Sequence, residues 1–140
     1  MKVREDIKDF LLTIPKGVIL VAATKYVDAS IVKKLVESGI NNIGENRVDS
    51  FLNKYNILKN TPVLWHFIGH LQRNKAKDVI NKIDYLHSLD SLELAKIIDK
   101  NRTSPLKCFV EVSINLEANK NGVPPEHFES FLTQLKEYKN

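Results

Sequence analysis

The sequence predicts an α/β protein built on a parallel sheet, and three observations carry that prediction. Five apolar runs, at residues 18–23, 40–43, 62–68, 83–87 and 106–114, read as strands, and each is followed by a segment with apolar residues at helical spacing. The first run, GVILVAATK at residues 17–25, is unbroken and rich in β-branched residues, as expected of a strand buried on both faces. No hairpin signal separates the runs, so right-handed βαβ crossovers are the expected connections.

The elements follow in order. Val3, Ile7, Phe10 and Leu11 share one face of a short leading helix, which Pro15 and Gly17 end before the first strand. Asp28 is the expected N-cap of the next helix, with Ile31, Val32, Leu35 and Val36 as its apolar stripe and Gly39 as its stop. After the strand at 40–43, Gly44 reads as a turn, and Val48, Phe51, Leu52 and Tyr55 recur at i, i+3, i+4 and i+7. The third strand runs into Gly69 and a helix carrying Leu71, Val79 and Ile80 inward. Behind the fourth strand, Asp90 with Glu93 forms a capping box for a helix that buries Leu94, Ala95, Ile97 and Ile98. The fifth and longest strand gives way to a polar loop, 115–125, and a helix with Phe128, Phe131, Leu132 and Leu135 on one face.

With 140 residues, 43% of them hydrophobic, and no linker or low-complexity tract, the expectation is one globular domain over residues 1–140. A net charge of +4 permits an anionic partner but is ordinary for a solvated surface. Cys108 is the single cysteine, so no intrachain disulfide can form, and its apolar run predicts a buried, inert thiol. The N-terminus carries charges where a signal sequence would be apolar, and no run approaches the ~18 apolar residues of a membrane span. A soluble cytoplasmic protein without membrane contact is expected.

Two architectures compete, an open doubly wound sheet and part of a (β/α)₈ barrel. Neither G-x-G-x-x-G after the first strand nor G-x-x-x-x-G-K-[ST] anywhere is present, which favours the barrel. A full barrel takes ~250 residues, so this length holds about five of its eight units.

In a parallel α/β protein the reactive groups gather at the C-terminal ends of the strands. There the sequence places Thr24 and Lys25, then Gly44-Glu45-Asn46, His66 with Gly69-His70, His87-Ser88, and Ser113 to Asn115. Burial disfavours the charged form of a lysine, and a neutral amine can attack an aldehyde, so a strand-end Lys25 is a candidate for covalent attachment. His66 and His70 lack the partners and shared helical face of a metal site. Ser88, His87 and Asp90 lack a G-x-S-x-G elbow and are too close in sequence for a triad. Arg73, Lys75 and Lys77 read as a solvated helix face before an anion site. Lys120, in the loop after the fifth strand, reads as a surface lysine before a second reactive amine.

The chain resembles the pyridoxal-phosphate homeostasis family, the single-domain, alanine-racemase-like barrel proteins. The matching pieces are VAATK at 21–25, IGEN at 43–46, WHFIGHLQRNKAK at 65–77, LHSLDSLELA at 86–95 and EVSINLEANKNGVPPE at 111–126. The third piece is the specific one. The resemblance implies a TIM-type barrel like the N-terminal domain of alanine racemase, about five of its eight βα units being present. It also implies pyridoxal 5′-phosphate held as an imine on Lys25, with Asn46 of the G-E-N motif beside the cofactor and His66 at the end of the third strand within reach of its ring. Thr24 stands where the family has serine, and Val27 where it often has a second lysine. The family's phosphate-holding segments and the arginine facing the pyridine nitrogen have no counterpart in these 140 residues, so the chain reads as truncated.

The reading that follows is a cofactor-binding protein of intracellular vitamin B6 homeostasis, a carrier in preference to an enzyme. The alternative is a pyridoxal-phosphate enzyme of the racemase type, which needs a second catalytic group. A nucleic-acid-binding module ranks third. Unpaired barrel edges would favour self-association.

Overall fold

The computed structural model describes residues 2–115 and 121–140. Its elements alternate as the sequence predicts: α1 (Ile7–Leu12), β1 (Ala22–Ala23), α2 (Ala29–Glu37), β2 (Asn42–Glu45), α3 (Val48–Ile57), β3 (Leu64–Phe67), α4 (Arg73–Val79), β4 (Tyr85–Leu89), α5 (Leu92–Asn101), β5 (Lys107–Val110), a 3-10 turn (Pro125–His127) and α6 (Phe128–Leu135). The strands are ordered β1-β2-β3-β4-β5, the order expected when each helix returns the chain to the next position. Contacts divide the chain within β3 into two compact units, Met1–His66 and Phe67–Asn140.

In the first unit β1 and β2 pair in parallel, Ala22 opposite Ile43 and Ala23 opposite Gly44. Asp28 caps α2 by accepting from the Ile31 amide at 3.1 Å, and Val32 and Val36 are buried beneath it. Gly39, at φ 102°, turns the chain out of α2 where a side chain would crowd Leu11 Cδ1 at 3.2 Å. On α3 the fully buried Phe51 meets Trp65 edge-on, with centroids 5.3 Å apart and planes at 83°. A contact of this kind adds ~0.5–1.5 kcal/mol to the area term.

In the second unit β4 and β5 pair in parallel from Tyr85 opposite Lys107 to Leu89 opposite Val110, with an irregularity between Leu86 and Leu89. Ser91 caps α5 by accepting from the Leu94 amide at 3.2 Å, so the cap is Ser91 and not Asp90. Leu94, Ala95 and Ile98 form the buried face of α5. Arg102 donates to the carbonyls of Ile80 at 2.5 Å and Pro105 at 3.2 Å, fastening the segment between α5 and β5. Gly122, at φ 121°, lets the chain pass Ser113; a Cβ there would lie 2.8 Å from the Ser113 amide nitrogen.

Several boundaries differ from the sequence reading. The first strand contracts to Ala22–Ala23, and Val18 and Ile19 are 57% and 54% exposed, not buried on both faces. Gly17, at φ 86°, and the Val18-to-Pro15 hydrogen bond hold a turn there, and residues 18–21 lie outside the ladder. Gly44 sits inside β2 instead of forming a turn, because it pairs with Ala23. The fifth strand is four residues long. Val112 makes one isolated bridge to Val123, and Ile114 is 81% exposed. In each case apolar content marks the run but not how far its backbone finds a neighbour to pair with.

Candidate functional site at the ends of β1 and β2

Thr24 and Glu45 follow the paired residues of β1 and close β2. The Thr24 amide donates to the Gly44 carbonyl at 3.0 Å, which extends the ladder by one bond. Thr24 is buried, and its hydroxyl donates to Glu45 Oε1 at 2.5 Å. Glu45 is fully buried, and its carboxylate also accepts from Lys54 Nζ and, at 3.0 Å through Oε2, from Ser50 Oγ. Lys54 Nζ donates in addition to the Thr24 carbonyl at 2.7 Å. The buried ion pair is therefore hydrogen-bonded on both sides, as a charge pair out of water must be.

These contacts fix which way the strands face. Thr24 and Glu45 point toward α3 through Lys54 and Ser50, and Trp65 does so through Phe51. Alternation then assigns Ala23, Gly44, Asn42 and His66 to the opposite face. Ala23 lies opposite Gly44, and Lys25 and Asn46 each follow just past the ends of these neighbouring strands. Lys25 lies in the turn that the Val27 amide closes onto the Thr24 carbonyl at 3.2 Å. It is exposed, not half-buried as expected of a strand-end lysine, and its Nζ lies 5.0 Å above the Tyr26 ring. Asn46 is half-buried. His66 is buried within β3, not at its end, and its Nε2 lies 2.9 Å from Asn42 Oδ1.

The three residues singled out from sequence thus lie in one unit, on or just past the three neighbouring strands β1, β2 and β3. Lys54 was missed. Its spacing signal was present: Phe51, Lys54 and Leu58 fall at i, i+3 and i+7, and all three are buried. A lysine at that position breaks the apolar stripe and needs a buried acid, which Glu45 supplies from β2.

The second unit holds further polar groups. His70 Nδ1 lies 3.5 Å from Asp90 Oδ2, and the two line an open cavity of about 470 Å³ with Arg73, Ser91 and Glu93. Burial raises the Asp90 carboxyl above the usual carboxylate range, against the pull of His70. Burial likewise lowers His87, whose ring lies 4.9 Å from that of Phe109. Arg73, Lys75 and Lys77 are exposed on α4. Lys120 lies outside the described residues. Among the described residues no three His, Cys, Asp or Glu side chains are grouped to hold a metal ion, and no helix is long and apolar enough to cross a membrane.

Comparison with known proteins returns the family that the five motifs resemble. No protein-family model matches the chain. The pyridoxal phosphate homeostasis protein of Aquifex aeolicus is 38% identical over 122 residues, covering 85% of this chain and 52% of the relative. That of Pseudomonas aeruginosa is 31% identical over 129 residues, covering 90% and 56%. Among solved structures, PipY of Synechococcus elongatus without pyridoxal phosphate aligns with a TM-score of 0.87 at 31% identity, over 96% of this chain and 65% of PipY. PipY with pyridoxal phosphate bound aligns at 0.84 and 28% identity. Alanine racemase from E. faecalis aligns at 0.72 with 11% identity over 96% of this chain, which establishes a shared α/β fold. The chain spans about half the length of the curated relatives it matches. In sequence and fold together, the chain is similar to the pyridoxal phosphate homeostasis proteins over about half of their length.

Proposed function

We propose that this chain binds pyridoxal 5′-phosphate covalently at Lys25 and serves intracellular vitamin B6 homeostasis in the cytoplasm, as a carrier of the cofactor. The observation that carries the reading is that Lys25 and Asn46 directly follow the ends of the paired strands β1 and β2, in a chain similar to proteins named for pyridoxal phosphate. The cofactor supplies an aldehyde, with which a neutral lysine amine condenses as one water leaves. The residues fit that group. Lys25 offers an accessible amine, Asn46 at the end of the adjacent strand offers an amide donor and acceptor, and His66 is held by Asn42.

A racemase needs a second positioned acid–base group. His66, the ionisable residue of β3, is buried and tied to Asn42, which favours holding the cofactor over turning over an amino acid. The test is borohydride trapping of the protein with pyridoxal phosphate, followed by peptide mapping. The label is expected on Lys25 and is lost in Lys25→Ala. Label on Lys120 or on scattered surface lysines, with Lys25 unmodified, overturns the assignment.

A further inference from the structure

We infer that Glu45, Lys54 and the Thr24 hydroxyl form a positioning brace for the turn that carries Lys25; this rests on the cofactor-binding reading above. The Thr24 carbonyl is the point of leverage. It accepts the Val27 amide that closes the turn carrying Lys25, and the same oxygen accepts Lys54 Nζ at 2.7 Å. Lys54 is in turn bonded to Glu45, whose carboxylate takes the Thr24 hydroxyl at 2.5 Å and Ser50 Oγ at 3.0 Å. Glu45 is the last residue of β2 and directly precedes Asn46. One buried network therefore grips the residue before Lys25 and the residue before Asn46, and anchors both to α3.

Stability alone is a poor reason for such a network. A buried ion pair can often be exchanged for apolar residues of similar volume without loss, because desolvation offsets its attraction. Its geometry is what apolar packing cannot reproduce. Directed donors set the rotation of the Thr24 carbonyl, and with it the turn, whereas side-chain packing leaves that rotation undetermined. Lys25 itself is exposed, with the exposed Tyr26 ring as its neighbour, so the turn beneath must supply the order.

The experiment compares wild type, Thr24→Val, Thr24→Ser and the double variant E45Q/K54M. Each is measured for pyridoxal phosphate affinity, for thermal midpoint, and for the exchange rate of the Val27 amide in the cofactor-free protein. Valine keeps the shape of threonine and loses the hydroxyl; serine keeps the hydroxyl and loses a methyl. The brace predicts affinity for Thr24→Ser close to wild type, and weakening of about tenfold for Thr24→Val and for the double variant. Val27 exchange should rise by about tenfold in the same two proteins. If affinity instead follows the thermal midpoints, with valine at least as good as serine, or if the double variant binds like wild type, the inference is wrong. Should the double variant not fold, the two Thr24 variants decide alone. Should wild type carry no label on Lys25, the cofactor reading fails, and Val27 exchange still decides the brace: faster in Thr24→Val but not in Thr24→Ser supports it, unchanged in both overturns it.

Discussion

Replacing Lys54 by methionine keeps most of the volume of the side chain and removes its charge together with its hydrogen bonds to Glu45 and the Thr24 carbonyl. The partner left behind is fully buried: the Glu45 side chain is 0% exposed and that of Lys54 5%. Ser50 and Thr24 still donate to the carboxylate, but neither neutralises it. Stranding one member of a buried pair costs ~3–5 kcal/mol, and the retained methylene packing limits any further loss. Against the ~5–15 kcal/mol that stabilises a typical domain, this is a large fraction. At roughly 3–5 °C per kcal/mol for a chain of this size, the thermal midpoint should fall by ~10–20 °C. Glu45→Gln added to Lys54→Met removes the stranded charge while keeping an acceptor oxygen for Thr24 and presenting an NH2 to the Ser50 hydroxyl oxygen, and should recover all but ~1–2 kcal/mol. The assay is urea unfolding of wild type, both single variants and the double variant, with the coupling energy taken from the cycle. A coupling of ~2 kcal/mol or more, little changed by salt, is expected for a pair shielded from solvent. A cost below ~1 kcal/mol for Lys54→Met, with additive single variants, would show that the pair is solvated and would remove the basis for the brace.

Two other outcomes are accessible to simple measurements. Hydrogen bonds from the Ser30 hydroxyl and the Ile31 amide hold the Asp28 carboxyl below the usual carboxylate range. Its contribution is therefore present above the unfolded value near 3.9 and lost as pH falls through the folded one. The stability gap between wild type and Asp28→Ala should shrink on acidification below about pH 4; a gap as wide at pH 2 as at pH 7 refutes the capping role. Burial raises the Cys108 thiol to about 11, with Arg102 opposing it. Its thiolate fraction at pH 8 is then about a hundredfold below that of an ordinary cysteine, so iodoacetamide should alkylate it about that much more slowly in the native protein than in urea. Equal rates would mean that the thiol is open to solvent.

The sequence alone determined the α/β class, the number and order of the strands, and the helical stripes, because periodicity is a local property of side chains that need water or need to avoid it. Lys25, Asn46 and His66 are candidates on strand-end position and family motifs, and the structure moves His66 inside β3. What the sequence could not determine was pairing. Val18 and Ile19 have the composition of a buried strand yet lie outside the ladder, and Gly44 reads as a turn yet pairs with Ala23. Partners come from elsewhere in the chain, and no periodicity encodes which neighbour arrives. The same limit hid the ion pair. Glu45 stood among the polar groups at the strand ends and Lys54 belonged to no motif, and only the approach of α3 to the ends of β1 and β2 removed both from water and joined them to the Thr24 carbonyl beneath the turn of Lys25. Burial turns two ordinary charges into a geometric constraint, and burial is decided by the tertiary fold.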